Sequence, residues 1–180
     1  MSDSPSDPLA DPGLARVNDL PPEAFRVTFA QCLNVERWVE ALLAERPYTD
    51  RPALFDAADR HARGVTDDEV DAALARHPRI GEKARGSGQE SAWSRGEQAR
   101  FGSTGGSTAS GEDEFQRAQV AYEARFARIY LVCASGRTRE DLLGDLRSRL
   151  DNDPATERRV VADELRKIAL LRIGKALDSV

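Results

Sequence analysis

The chain has 180 residues, of which 40% are hydrophobic and 32% charged, and its formal net charge is −5. This composition is typical of a globular protein; it provides no basic stripe for nucleic-acid phosphates, and no apolar run approaches the roughly 18 residues of a membrane-spanning helix. Its two cysteines, Cys32 and Cys133, do not form a disulfide framework, which favours a reducing, cytoplasmic location.

The first stretch, "MSDSPSDPLADPG", is acidic and rich in Pro and Ser. A signal peptide would have a basic flank and an apolar core, and neither is found here. We therefore expect residues 1–19 to form a disordered tail and residues 20–178 to form one helical domain.

Apolar residues at helical spacing, with Pro21 and Pro22 at their start, occur in "LPPEAFRVTFAQCLNVERWVEALLAERPY". The stretch "CLNVERW" interrupts that pattern, so one helix and two helices both remain possible. "DRPALFDAADRHARG" predicts a short helix that ends at Gly64. "TDDEVDAALAR" opens with Thr66 and Glu69 at capping-box spacing, and this helix must stop near His77, because Pro78 disfavours a helical residue before it.

Eight of the 13 glycines lie between Gly81 and Gly111, and "FGSTGGSTASGEDE" resembles a flexible linker. Neither half of the chain contains a complete core, which favours a long loop within one domain. "EDEFQRAQVAYEARF" then predicts a helix with one apolar face.

The apolar run "IYLVCA", residues 129–134, is short enough for a strand, but the sequence shows no partner strand. We therefore expect a buried extended segment. Two helices follow, in "TREDLLGDLRSRL" and in "DPATERRVVADELRKIALLRIGKAL". The sequence predicts an all-α, single-domain bundle of about seven to nine helices with a long Gly-rich loop.

Familiar catalytic motifs are absent from the sequence. It contains no H-E-x-x-H, C-x-x-C, G-x-S-x-G or G-x-x-x-x-G-K-[ST] motif. With two histidines and two scattered cysteines, a dedicated zinc site is not expected. These absences predict no metal site.

His77 stands between a helix end and Pro78, where its backbone is restricted and its side chain titrates near neutral pH, at about 6.5 when unperturbed. This placement suits a general acid or base. It equally suits a helix C-terminal cap, in which the imidazole interacts with the helix dipole. The residues alone leave both interpretations open.

Two further positions are unusual. Ser94 and Glu97 stand at capping-box spacing, so Glu97 could simply close the first turn of a helix. Arg172 falls on the apolar stripe of the last helix, where an arginine is costly unless it is paired or binds an anion. It could instead extend from the edge of the stripe into solvent.

Four motifs together resemble one family: "HPRIGEKA" at 77–84, "SRGEQ" at 94–98, "YEARFARIYLVCA" at 122–134 and "RLDNDPATERRVVADELRKIALLRI" at 149–173. They resemble 2-oxo-4-hydroxy-4-carboxy-5-ureidoimidazoline (OHCU) decarboxylases, which act in urate degradation. The resemblance extends over roughly residues 20–177. It depends on the ordered set with its spacings, since no single motif would suffice.

The resemblance implies an all-helical homodimer that uses neither metal nor organic cofactor and converts OHCU to (S)-allantoin and carbon dioxide. Its catalytic residues correspond to His77, Glu97 and Arg172. Urate oxidase and hydroxyisourate hydrolase are the implied functional partners. The implied substrate-binding residues are Pro78, Ser94, Gln98, Tyr130, Leu131, Val132, Cys133 and Ala134, the last five through an apolar run that lends its backbone groups.

The sequence departs from the family pattern at a few positions. "HPRIGEK" replaces the commoner H-P-D/E-L-A-G, which puts Arg79 near the mouth of the expected site, where it could aid capture of an anionic substrate. Position 127 is alanine where glycine is common. Two other function classes remain possible: a non-catalytic helical interaction module, and a hydrolase of ureido compounds, although that hydrolase would normally need metal ligands.

Overall fold

The computed structural model describes residues 11–82, 89–98 and 109–179, with backbone alone for 89–91 and 109–113. Within these ranges the chain forms nine α-helices and no strand, which confirms the all-α prediction. The helices are α1 (Pro12–Asp19), α2 (Pro22–Cys32), α3 (Glu36–Ala44), α4 (Arg51–Ala62), α5 (Asp67–Leu74), α6 (Gln89–Glu97), α7 (Ala109–Phe126), α8 (Arg139–Arg149) and α9 (Pro154–Asp178).

The helices belong to two compact units. The first unit comprises Met1–Gly64 and Ala169–Val180, and the second comprises Val65–Ile168. The first therefore holds α1 to α4 and the end of α9, and the second holds α5 to α8 and the beginning of α9.

Aromatic residues form the centre of the first unit. The rings of Phe25 and Phe29 stack with their centroids 4.0 Å apart, and Phe29 also contacts Trp38. The indole N–H of Trp38 donates to the Ala58 carbonyl at 3.0 Å, so its one polar group is satisfied inside the core. Helices α2, α3 and α4 thus pack around one apolar centre.

The predicted disordered tail is wrong for residues 12–19, which form α1. The Asp11 side chain caps this helix by accepting from the Leu14 N–H at 3.1 Å, and Pro12 occupies its first position. Leu14 and Val17 are buried, and a Cβ at residue 13 would clash with the Leu177 carbonyl, so glycine permits close packing there. Residues 1–10 lie outside the described part.

A second apolar cluster forms the core of the second unit. Tyr122 and Tyr130 meet edge to face at 5.5 Å, and Phe115 meets Tyr130 in a similar way. These rings come from α7 and from the segment that follows it. The cluster comprises Ile80, Phe115, Tyr122, Tyr130, Val132, Ala134, Leu142 and Leu146.

Two local predictions are confirmed: the Thr66–Glu69 capping box begins α5, and residues 129–134 are irregular and largely buried. At "CLNVERW", where one helix and two helices were both possible, the chain forms two, α2 and α3. The Gly-rich loop was expected to extend to Gly111, whereas α7 already begins at Ala109. The rest of that loop, residues 102–108, lies outside the described residues.

Candidate active site

His77 lies in a turn three residues after the end of α5, in the second unit. Its Nδ1 is 3.0 Å from the Ala73 carbonyl oxygen, and its Nε2 is buried. Because a carbonyl can only accept, Nδ1 carries the proton in this contact, which leaves Nε2 as the basic nitrogen of the neutral ring. The contact also matches the helix-cap interpretation, so it does not separate cap from catalyst.

Gln98, just after the end of α6, hydrogen-bonds the turn that follows His77. The Gln98 Oε1 accepts from the Gly81 N–H at 3.0 Å, and Nε2 lies 3.5 Å from the Arg79 carbonyl. Gly81 has a φ of 87°, in the left-handed region that glycine adopts most easily. Gln98 therefore helps to hold the turn, whereas its predicted contact with substrate stays a prediction.

Glu97 and Ser94 lie in the last turn of α6, which begins at Gln89. The capping-box interpretation of this pair is therefore wrong, because Glu97 ends a helix instead of closing its first turn. Both residues are buried; Glu97 is only 8% exposed. A carboxylate at this depth needs a specific environment, which is typical of a functional position.

The irregular segment 130–134 lies close to Glu97. Burial raises the pKa of the Cys133 thiol, and the negative charges of Glu164 and Glu97 raise it further. The other four residues of the segment are buried, and Tyr130, Val132 and Ala134 pack in the same cluster as Ile80 of the His77 turn. The second unit thus brings together the His77 turn, the end of α6 and the segment 130–134.

Charged side chains hold the backbone of this segment. The Arg149 Nη1 donates to the Leu131 carbonyl at 2.8 Å, and the Glu164 Oε2 accepts from the Cys133 N–H at 2.8 Å. Neither residue was predicted as a site residue. Both lie within the motif at 149–173, but their spacing does not distinguish them from ordinary surface charges.

Arg172 lies on α9 within the first unit and is 1% exposed, so it does not extend into solvent. Val161, Leu165 and Ile168 are also buried, which confirms the predicted stripe. The Arg172 Nη1 donates to the Gln31 carbonyl at 3.2 Å. The guanidinium is therefore held in place inside the protein, as an anion-binding arginine requires.

Arg79 lines a cavity of about 460 Å³ in the second unit. Its guanidinium is already paired: Nε and Nη2 each contact a Glu123 carboxylate oxygen at 2.6 Å, and Nη1 contacts Glu82 at 3.3 Å. These carboxylates raise the pKa of Arg79. The pairing argues against the expected role of Arg79 in capturing an anionic substrate. Among the described residues, those that line the cavity are Arg79, Ile80, Gly81, Glu82, Phe115, Gln116, Gln119, Val120, Glu123 and Arg139.

The described ranges contain neither a metal-binding cluster nor a membrane-spanning helix. No group of three or more His, Cys, Asp or Glu residues in them is placed to hold a metal ion. No helix in them has the length and apolar character needed to cross a membrane.

Comparisons with known proteins agree on one class. A sequence model described as OHCU decarboxylase matches residues 18–174. The 2-oxo-4-hydroxy-4-carboxy-5-ureidoimidazoline decarboxylase of Amia calva is 29% identical over 166 residues, which cover 89% of this chain and 91% of the relative. The uric acid degradation bifunctional protein TTL of Arabidopsis thaliana is 28% identical over 144 residues, which cover 80% of this chain but only 44% of that longer protein.

The solved structures agree with the sequences. A crystal structure of OHCU decarboxylase in the presence of (S)-allantoin superposes with a TM-score of 0.69 at 26% identity, over 89% of this chain and all of that one. The fold and these similarities therefore define an all-helical enzyme of the decarboxylase class. The chain belongs to the OHCU decarboxylase family.

Proposed function

We propose that the chain decarboxylates OHCU to (S)-allantoin, with His77 as general acid/base, Glu97 as orienting acceptor and Arg172 as clamp for an anionic or carbonyl group of the substrate. As a member of its family the chain is a carboxy-lyase of urate degradation. The observation that supports the role of His77 is the burial of the ring nitrogen opposite the cap contact. Its Nδ1 is fixed on the Ala73 carbonyl, so the buried Nε2 is the nitrogen that exchanges a proton.

The chemistry of the substrate suits these residues. OHCU carries a carboxylate and a hydroxyl on one ring carbon beside a C=N bond. Loss of carbon dioxide leaves electron density that the conjugated ring can delocalise, so no external electron sink is required. The protein must orient the carboxylate, stabilise the developing charge on the ring and deliver a proton to one face.

Each proposed role follows from the properties of the side chain. Histidine populates both protonation states near neutral pH, which a proton-transfer step needs. A buried glutamate accepts hydrogen bonds from substrate N–H and O–H groups and so orients the ring. Arginine offers a planar fork of donors that binds a carboxylate through two parallel hydrogen bonds.

The remaining proposals concern the setting of the enzyme. We place it in the cytoplasm as a homodimer that acts in sequence with urate oxidase and hydroxyisourate hydrolase. The similarity to a bifunctional uric acid degradation protein supports a link to that pathway. Light scattering on the purified chain tests the dimer, and a monomer at micromolar concentration would contradict it.

The activity is tested by mixing purified protein with freshly generated OHCU and following the circular dichroism of allantoin. We expect optically active product to accumulate much faster than in buffer alone. A non-catalytic helical module would leave the spontaneous rate and the racemic product unchanged.

Chelation tests independence from metals. Exhaustive EDTA treatment and dialysis should leave turnover unchanged, because the substrate stabilises its own carbanion. Activity that is lost in EDTA and restored by zinc or manganese would contradict a metal-free mechanism.

A further inference from the structure

The segment 130–134 is largely buried and irregular, so its backbone groups cannot pair within a helix or sheet. A buried backbone group without a partner is costly, and side chains must therefore take that place. Arg149 donates a hydrogen bond to the Leu131 carbonyl, and Glu164 accepts one from the Cys133 N–H, each at 2.8 Å. Alternate residues of the segment are thus fixed from outside it.

Val132 lies between these two fixed residues and is 3% exposed. Within residues 11–82, 89–98 and 109–179, neither its N–H nor its carbonyl makes a hydrogen bond. One donor and one acceptor therefore remain on the backbone at the middle of the segment. A ureido group or a cyclic amide, both of which OHCU carries, offers the complementary acceptor and donor.

The two charged side chains differ in what else they do. Arg149 also binds the buried Glu157, so its loss would damage the core of the second unit. Glu164 has a simpler environment: its side chain is 12% exposed, and its second oxygen pairs with Lys167 at 2.7 Å. Glu164 is therefore the residue through which the segment can be loosened without removing a core contact.

We propose that Glu164 is a positioning residue for OHCU decarboxylation: by accepting the Cys133 N–H it aligns the free backbone groups of Val132 with the substrate. This role depends on the proposed function. Glu164 acts through the segment and is not itself assigned a contact with the substrate. Because the Val132 contacts would form in the ground state and persist in the transition state, their loss should raise KM and leave kcat nearly unchanged.

Three variants of Glu164 separate the effect of side-chain length from the effect of its charge. Glu164→Gln keeps an oxygen at the same distance and loses the charge; Glu164→Asp keeps the charge but is one methylene too short; Glu164→Ala loses both. We expect Asp and Ala to raise KM about 10–100-fold and Gln to stay within about threefold of wild type, as the loss of one buried hydrogen bond implies. Lys167→Met is the matched control and should leave both constants unchanged.

Amide hydrogen exchange at Cys133 gives a readout that needs no substrate. In the Asp and Ala variants this amide should exchange at least about tenfold faster, and in the Gln variant it should stay protected. Wild-type KM in Glu164→Asp, or a Gln variant as impaired as Ala, would overturn the proposal. If Glu164→Ala does not fold, the comparison of Asp with Gln still decides.

The assay on the wild-type protein distinguishes the positioning role of Glu164 from the proposed function. If the wild type converts OHCU and Glu164→Asp retains its KM, the positioning role is wrong and the proposed function stands. If the wild type does not convert OHCU, the proposed function is wrong and the positioning role of Glu164 is wrong with it.

Discussion

Among the described residues, each of the two units holds one histidine and buries one arginine, and the contacts of these residues differ between the units. In the first unit His61 contacts the Glu45 carboxylate at 2.6 Å, whereas Arg172 donates to a backbone carbonyl. In the second unit Arg149 contacts the Glu157 carboxylate at 2.6 Å, whereas His77 contacts a backbone carbonyl.

The difference separates two uses of the same residue types. A carboxylate partner fixes the charge of a cation, whereas a carbonyl partner fixes the orientation of the side chain and, for histidine, the nitrogen that carries the proton. His77 and Arg172 are the two that the family resemblance assigns to catalysis, whereas Arg149, which also donates to the Leu131 carbonyl, is not among the residues assigned to it. We expect changes at His77 and Arg172 to affect turnover and changes at His61 to affect stability or nothing. Changes at Arg149 should first affect stability, through the buried Glu157, and also loosen segment 130–134 at the Leu131 carbonyl.

The largest expected effect is that of His77→Asn. Asparagine fills a similar space and can still form a hydrogen bond, but it cannot transfer a proton at neutral pH. Enzymatic decarboxylation should slow by about 10²–10⁴-fold, equivalent to about 3–5 kcal/mol of barrier. The allantoin should also become racemic, because protonation would occur mainly off the enzyme. Stopped-flow absorbance and circular dichroism measure both quantities.

His61→Asn is the matched control for that variant. His61 is part of a surface cluster with Glu45 and Arg60, and such pairs contribute about 0–1 kcal/mol. Its turnover should equal that of the wild type. If His77→Asn also kept near-wild-type production of optically active allantoin, His77 would be only a helix cap, with a stability change of about 1 kcal/mol or less.

Arg149→Met tests the structural role of the buried arginine in the second unit. It leaves the Glu157 carboxylate buried without its cation, and breaking a buried pair in this way costs about 3–5 kcal/mol of unfolding free energy. Chemical denaturation measures this loss. The double variant Arg149→Met with Glu157→Gln should recover part of it, and equal stability of wild type and single variant would contradict the structural role.

Arg172→Lys should have a smaller effect than Arg149→Met, and it should lower turnover, not stability. Lysine keeps the charge but loses the planar fork, so catalysis should fall by about 1–3 kcal/mol of barrier while the fold survives. Arg172→Met should keep the stem packed and lose more activity. A fully active Arg172→Met variant, with a wild-type melting curve, would show that the arginine only fills space.

Much of the fold was predictable from local patterns. Thr66 and Glu69 predicted the start of α5, and Pro78 its end, because capping and proline sterics act within a few residues. The disordered-tail prediction failed for residues 12–19 because it gave more weight to acidic composition than to a strong local helix signal, Asp11 followed by Pro12. Tertiary contacts then bury Leu14 and Val17, and these contacts cannot be seen in the sequence.

The candidate site was only partly predictable. His77 was conspicuous because a proline follows it, and Arg172 because it interrupts an apolar stripe. The spacing of Ser94 and Glu97 wrongly indicated a capping box at the start of a helix, because the same three-residue separation also occurs at the end of a helix. Glu164 gave no signal, because its partner, the Cys133 N–H, lies 31 residues away and belongs to a segment without regular structure.

The smallest expected effect concerns Ala127, which is unrelated to the two histidines and the two buried arginines. It ends α7 with a φ of 54°, and its N–H bonds the Glu123 carbonyl at 2.9 Å, a helix-end conformation in which glycine is preferred. Ala127→Gly removes about 1–2 kcal/mol of steric strain and increases the entropy of the unfolded chain, so the net gain should be about 0.5–1 kcal/mol. Thermal and urea unfolding measure this gain.

Ala121→Gly, at an exposed interior position of the same helix, is the control and should instead cost about 1 kcal/mol of unfolding free energy. Equal destabilisation by both substitutions would show that residue 127 does not hold the left-handed conformation in solution, and turnover should be unaffected by either.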